Sequence, residues 1–385
     1  MRTFSYCWLL YCCLFVLWGC QKDDAPAPIP IAPILKEIVF PGINEVMPGR
    51  EATIRGKGFD PDDKIFLENE TAMTEAEVTS VNNQEIRFLV PEDAGGAYTV
   101  TVERHNLQTT LDGELIVPLV VVIDNLSMPT GTSASGSVIS IGGEGFQNGD
   151  EIQLTAAFYP EGKIISIPVT VSGEGIQFEI PSEAYGQNTV TIVRGQRRST
   201  LGTIGIEVQV GDEIGGGIVY YVESNKIHGF IVHKENLGTA TESFGPGLAL
   251  SGAAGTGKAI GSGKSNTAKL QTRMAAFRQN NNSWNSKKAA FELCDELTVT
   301  SNNEVYADWF LPSQEELIEL FKVKDMLWTK GAGMPANNYW SSSEADGDAA
   351  GWAAFYVNFY EPVNVVSGFV DKEGWKIGIR PVRYF

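Results

Sequence analysis

The sequence predicts a multidomain protein, with two all-β antiparallel sandwiches followed by an α+β domain. Three observations carry this. A segment of roughly 85–90 residues occurs twice, and within each copy the apolar residues alternate with a period of two. After residue 210 the composition changes: helical patterns appear there, and every tryptophan beyond Trp18 lies between Trp284 and Trp375. A chain of 385 residues is long enough for two or three domains with cores of their own. With 43% hydrophobic and 20% charged residues it is not a disordered chain. Its formal net charge of -18 repels phosphate, which argues against nucleic acid or an anionic membrane surface as a partner. Three histidines, His105, His228 and His233, leave little material for histidine-based metal or acid–base chemistry.

The first element is an address. Arg2 is the only charge before Lys22, and an apolar run extends from Phe4 to Trp18, which reads as a secretory signal over residues 1–19. The run is short for a membrane span. Leu17-Trp18-Gly19-Cys20 resembles the lipobox of bacterial lipoproteins, with Trp18 a bulky occupant of its slot. The resemblance implies cleavage before Cys20, lipidation of its thiol and attachment to a membrane through that anchor. Each buried methylene of an acyl chain contributes roughly 0.8 kcal/mol. Of the five cysteines (7, 12, 13, 20 and 294), only Cys294 then keeps a free side chain, so no intramolecular disulfide is expected. Gln21-Lys22-Asp23-Asp24 resembles the surface-export signal of Bacteroidetes lipoproteins, which implies the outer face of the outer membrane. Ala25 to Pro33 reads as a semi-rigid extended spacer, so residues 20–33 form an anchor and linker.

The duplicated module comes next. Residues 50–67 and 137–154 align without gaps, sharing Ile54/Ile141, Gly56/Gly143, Gly58/Gly145, Phe59/Phe146, Asp63/Asp150, Ile65/Ile152 and Leu67/Leu154. Farther on, Ile86-x-Phe88-x-Val90-Pro91 parallels Ile176-x-Phe178-x-Ile180-Pro181. Ile86, Phe88 and Val90 share one face of a strand that the proline terminates, because proline has no N–H for the ladder. The Gly-x-Gly-Phe element resembles the immunoglobulin-like IPT/TIG family over residues 34–117 and 118–208. The glycines are expected to free the backbone at a bend and the phenylalanine to fill the core. In that family such modules act as spacers or interaction platforms. Asp60, Asp62 and Asp63 could form a calcium loop, but the second copy keeps only Asp150, which favours solvated turn acids.

In the last segment Ser313 and Glu316 fit a capping box, and Leu317, Leu320 and Phe321 make an apolar stripe behind it. An earlier helix is predicted over about 285–297, with Ala290, Leu293, Cys294 and Leu297 on one face, making Cys294 a packing residue. Val210 to Tyr221, His228-Gly-Phe-Ile231, Gly261 to Thr267, Asp308 to Leu317, Tyr339 to Glu344 and Ile379 to Phe385 follow the motif order of one family. This segment resembles the Lcl C-terminal domain, also called the major paralogous domain of Fibrobacter. The resemblance covers nearly all of 209–385. It implies an α+β C-type-lectin-like scaffold, in the branch that includes formylglycine-generating enzyme, and a role in surface binding or adhesion.

Sharper readings compete here. Gly252 to Lys258 resembles a phosphate loop, but Ala259 stands where a Ser or Thr would hold magnesium. His228 and His233, five apart, would point to opposite faces of one strand. With Cys294 alone, the paired cysteines of the copper-dependent branch are missing. Glu361-Pro362-Val363-Asn364 resembles the Glu-Pro-Asn motif of true C-type lectins, with one residue inserted. Trp309, Trp340 and Trp352 are expected to fill the core. Tyr356, Asn358, Tyr360, Asn364, Trp375 and Lys376 are the candidate ligand residues, since exposed aromatics stack on sugar rings and amides satisfy hydroxyls. No catalytic residue, metal or cofactor is assigned. The expected function is that of an outer-membrane surface lipoprotein that binds a glycan or a partner protein without transforming it. The alternatives are a structural subunit of a surface fibre or polysaccharide-uptake complex, and a carbohydrate hydrolase drawing on Glu344, Asp346, Asp348 or Glu361.

Overall fold

In a computed structural model, residues 31–237, 242–247, 255–349, 351–360 and 366–385 are described. The signal, Cys20 and most of the linker therefore lie outside the described residues, as do Gly252, Glu361 and Asn364. No helix among the described residues is long and apolar enough to cross a membrane. The chain divides into two compact units, one ending at Pro118 and the other spanning Leu119–Phe385.

The first unit contains β1 (Lys36–Val39), β2 (Glu51–Lys57), β3 (Lys64–Glu68), β4 (Met73–Ala76), β5 (Val78–Asn82), β6 (Glu85–Leu89), β7 (Gly96–Arg104) and β8 (Leu107–Val117). They form two antiparallel four-stranded sheets, ordered β1-β2-β6-β5 and β4-β3-β7-β8. Ile54, Ile86 and Phe88 from one sheet meet Ile65, Leu67, Val100 and Val102 from the other, all fully buried. This is the period-two pattern put to use, with alternate residues entering the space between the sheets.

The second unit opens with β9 (Asp124–Ser127), β10 (Thr132–Ser133), β11 (Val138–Glu144), β12 (Glu151–Thr155), β13 (Ile165–Pro168), β14 (Thr170–Ser172), β15 (Gly175–Glu179), β16 (Gly186–Arg194) and β17 (Arg197–Ile206). Their orders, β14-β15-β11-β9 and β10-β17-β16-β12-β13, repeat those of the first unit with β10 added alongside β17. Both copies are two-sheet β-sandwiches, consistent with the expected Ig-like modules. The second glycine of each Gly-x-Gly-Phe has a positive φ, +95° at Gly58 and +101° at Gly145. A Cβ there would meet the Ile34 carbonyl oxygen at 2.4 Å or that of Val122 at 2.8 Å. Phe59 is buried, whereas Phe146 is only partly so. The turn acid that the two copies share is not solvated as expected: Asp63 and Asp150 are buried, each against an arginine. Arg104 donates from Nε to Asp63 Oδ1 at 2.7 Å, and from Nη2 to Asp63 Oδ2 and the Gly58 carbonyl at 2.9 Å. Arg194 does the same to Asp150 (2.7 and 2.9 Å) and to the Gly145 carbonyl (2.7 Å).

The remainder of the second unit carries β18 (Glu213–Ile214), β19 (Gly217–Val222), β20 (Gly229–Val232), α1 (Gly263–Asn280), α2 (Ala290–Asp295), β21 (Val299–Ser301), β22 (Glu304–Tyr306), α3 (Gln314–Lys322), α4 (Lys324–Thr329), β23 (Asn338–Glu344), β24 (Ala353–Asn358), β25 (Val366–Asp371) and β26 (Val382–Tyr384). The sheets are β18-β19-β20-β26, β23-β24-β25 and the hairpin β21-β22. The predicted capping box holds, with Ser313 N donating to Glu316 Oε2 at 2.8 Å and Glu316 N to Ser313 Oγ at 3.3 Å. The helix predicted over 285–297 is shorter. Its α-helical part is α2, with Cys294 fully buried as packing. Helix α1, the longest described, gave no apolar signal because its buried face includes Asn266 and Thr267 beside Leu270 and Met274.

The two parts of the second unit share a core. Phe158, Tyr159 and Tyr185 of the sandwich pack with Val219, Ile231, Tyr306, Trp309 and Phe385. Arg383, fully buried, donates to the Phe158 carbonyl at 2.7 Å and to Asp308 Oδ1 at 2.7 Å.

Candidate functional site

The phosphate-loop look-alike lies partly outside the described residues, and the amides that follow it at the start of α1 are occupied by the protein itself. Gly261 N and Gly263 N donate to Glu316 Oε1 at 2.8 and 3.1 Å, and Ser313 N donates to Oε2. The amides that could cradle an anion at the start of α1 thus already hold a carboxylate. Burial pushes Glu316 up from the usual carboxylate range, and these donors oppose that shift. Asn266 closes the loop from the other side, accepting from Gly257 N at 2.8 Å and donating to its carbonyl at 2.7 Å.

The acids offered for hydrolysis are engaged or apart. Glu344 is buried in an ion pair with the equally buried Lys372 (Nζ–Oε1 2.6 Å), and burial holds that ammonium below the ordinary lysine range. Asp346 pairs with Lys258, Asp348 sits in an exposed turn, and Glu361 lies outside the described residues. The two histidines flank β20: His228 stacks on Tyr384, and His233 meets Trp309 edge-on at 5.4 Å. No cluster of three metal-ligating side chains occurs among the described residues.

The candidate ligand residues do not gather at one place. Tyr356 stands opposite Trp340 in the ladder, packs against the core beneath that sheet face, and lies across Gly368. Asn358 ends β24, and its Oδ1 accepts from Tyr360 N at 2.7 Å. Tyr360 therefore follows the Asn358 end of the β24–β25 ladder. Trp375 N donates to the carbonyl of Asp371, which pairs with Ala353 at the other end. Five residues of strand separate those ends, roughly 17 Å. Both rings are about half exposed, Lys376 is exposed, and Asn364 lies outside the described residues.

The other face of the same hairpin carries aromatics that the sequence reading assigned elsewhere or passed over. Trp309 and Trp340 are core residues, but Trp352, expected to be core, is 46% exposed, because it precedes β24 at the rim of the sheet. Phe355 and Phe369 are directly opposed in the ladder with ring centroids 5.9 Å apart, and Phe369 stands edge-on to Trp352 at 6.2 Å. The Lys258 ammonium lies 4.4 Å above the Phe355 ring. The period-two rule that placed Tyr356 on one face also places Phe355 on the opposite one; the cross-strand partner Phe369 needed the register.

A concavity of about 1100 Å³ lies between loop 157–166 of the second sandwich and residues 303–308. It is spanned by an ion pair of the protein's own, Lys163 Nζ to Glu304 Oε1 at 2.7 Å, and its Asp308 is held by Arg383.

No family model matches the chain, and no curated protein matches it. Solved structures with which it shares a likeness include three of note. One is the SGBP-B protein of the Bacteroides ovatus mixed-linkage glucan utilization locus in complex with a mixed-linkage heptasaccharide, at 16% identity and TM-score 0.20, covering 50% of this chain and 47% of that one. Another is a structure with a xylogluco-oligosaccharide, at 16% identity and TM-score 0.22, covering 46% and 41%. The third is a fimbrial protein from Bacteroides ovatus, at 12% identity and TM-score 0.31, covering 83% and 93%. The chain thus spans less than half the length of the first two, and at these scores the likenesses carry no functional argument.

Proposed function

We propose that this protein is a lipid-anchored surface protein of the outer membrane, in which Ig-like modules present a C-type-lectin-like domain that binds a glycan or a partner protein without transforming it. The observation that supports this is the distribution of exposed aromatics. Among the described residues the large exposed aromatic side chains are Trp328, Trp352, Tyr360, Phe369 and Trp375, all in the last domain and none in either sandwich. Trp328 rests on Gly333, where a Cβ would meet its ring at 2.2 Å. The other four border the β23–β24–β25 sheet. Exposing such rings forfeits the stabilisation their burial gives, so their confinement to the margins of one sheet supports a contact surface there.

Binding rather than turnover is favoured because Glu344 is locked in its buried pair with Lys372 and Asp346 in its pair with Lys258. The test is a glycan array probed with residues 21–385, followed by incubation of any bound glycan with the protein and analysis of the products. Binding with an unchanged glycan supports the reading. Release of shorter products overturns it in favour of a hydrolase.

A further inference from the structure

We propose that the exposed margin of the β24–β25 hairpin, built on Trp352 before β24 and Phe369 of β25 with Phe355 of β24 beside them, seats a neutral pyranose of the glycan; this rests on the glycan-binding reading above. Three observations argue for it. First, the rings are fixed in place. Phe355 and Phe369 form a directly opposed pair within an uninterrupted six-residue register, Ala353↔Asp371 to Asn358↔Val366. Phe369 also stands against Trp352 at an interplanar angle of 71°. Rings held by a ladder lose little conformational freedom when a ligand arrives.

Second, the exposed area suits a sugar. Trp352 is 46% and Phe369 49% exposed. Two half-exposed aromatic side chains offer on the order of 200 Å². That is well short of the roughly 800 Å² per partner of a specific protein–protein interface, and enough for the C–H face of one or two sugar rings.

Third, the charge pattern favours a neutral ligand. Lys258 covers the face of Phe355 and is neutralised by Asp346, so the surface presents hydrogen-bonding groups without an uncompensated cation. The chain as a whole carries -18, which repels polyanions. Ser367, on the same face of β25 as Phe369, accepts from Gln314 Nε2 at 2.9 Å and adds a hydroxyl to the rim. Lys258 over the Phe355 ring with its partner Asp346, and Ser367 two residues before Phe369 with its partner Gln314, thus supply polar groups of the kind that sugar hydroxyls require.

The experiment is native gel retardation of the full mature chain in soluble polysaccharides: a β-glucan, a xylan, a mannan, an α-glucan and, as the acidic member, polygalacturonate. The expected result is retardation by at least one neutral polysaccharide, with affinity reduced tenfold or more in both Trp352→Ala and Phe369→Ala and unchanged in Trp328→Ala. Circular dichroism melting of each variant separates loss of the site from loss of fold, and Trp352→Phe, which keeps a ring, is expected to retain part of the affinity. Undiminished binding by Trp352→Ala and Phe369→Ala overturns this site while leaving the glycan-binding reading standing, as does loss confined to Trp375→Ala. Retardation by polygalacturonate alone overturns the neutral-sugar assignment. Retardation by none of the five overturns the site together with glycan as the ligand.

Discussion

His233 shows what burial does to a single titratable group. Its ring is half buried against Trp309, and its Nδ1 lies 2.8 Å from the Glu235 carbonyl oxygen. Burial, with Arg380 nearby, holds its pKa below the usual 6.5, against the hydrogen bond to Glu235, which raises it. Between 6.5 and the lowered value the unfolded chain takes up a proton that the folded chain does not, so stability falls as pH drops through that window. The urea midpoint of the second unit is therefore expected to fall between pH 7 and pH 5.5, and to fall less in His233→Gln. Equal slopes in the two proteins would remove His233 as the cause. At this scale the sequence was legible where a side chain answers to its neighbours in the chain, as Ser313 does to Glu316. It was not legible where the partner is distant. Asp63 and Asp150 look like solvated turn acids until Arg104 and Arg194, 41 and 44 residues away, close on them.

Elements were legible in proportion to the strength of their period. The strands of both sandwiches follow alternation, and α3 follows its cap and its stripe of Leu317 and Leu320. Helix α1 did not announce itself, because it buries Gly263, Asn266 and Thr267 where an apolar stripe would be read. Its start is organised from another element: the α3 residue Glu316 receives the amides of Gly261 and Gly263 while capping its own helix at Ser313. One side chain thereby fixes the loop before α1 and the first turn of α3. Glu316→Ala leaves these donors without an acceptor in a buried place, and the expected cost is about 3 kcal/mol, on the scale of losing hydrogen bonds to a charged group. Glu316→Gln keeps one acceptor oxygen and is expected to recover part of it. Urea unfolding of the two variants checks this, and a loss below about 1 kcal/mol in Glu316→Ala would show that water replaces the carboxylate. The same dependence on context hid the aromatic pair of β24 and β25, since alternation gives the face of Phe355 but only the register supplies Phe369.

At the scale of the whole molecule, the sequence boundary at 208/209 falls beside a shared core, and this sets how the chain should unfold. Phe385 contacts Phe158 and Tyr185 with ring centroids 6.2 and 5.8 Å apart. Arg383 reaches the Phe158 carbonyl, and Val208 N donates to the Lys226 carbonyl at 2.9 Å. The segment from residue 209 onward therefore buries Tyr306, Trp309 and Phe385 partly against the second sandwich. Burying a large apolar side chain contributes about 1.5–3 kcal/mol. Removing the sandwich thus costs roughly 5 kcal/mol, a large share of the 5–15 kcal/mol that holds a domain together. A fragment of residues 119–385 is expected to unfold in one cooperative transition. A fragment of residues 209–385 is expected to be unfolded, or to melt far lower with exposed apolar surface that binds a hydrophobic dye. The first unit has a core of its own, so Arg104→Ala, which strips the buried Asp63 of its cation, should lower one transition of the full chain and leave the other in place. A single transition that moves as a whole in Arg104→Ala, or a fragment of 209–385 as stable as 119–385, would mean that the cooperative units do not follow these cores.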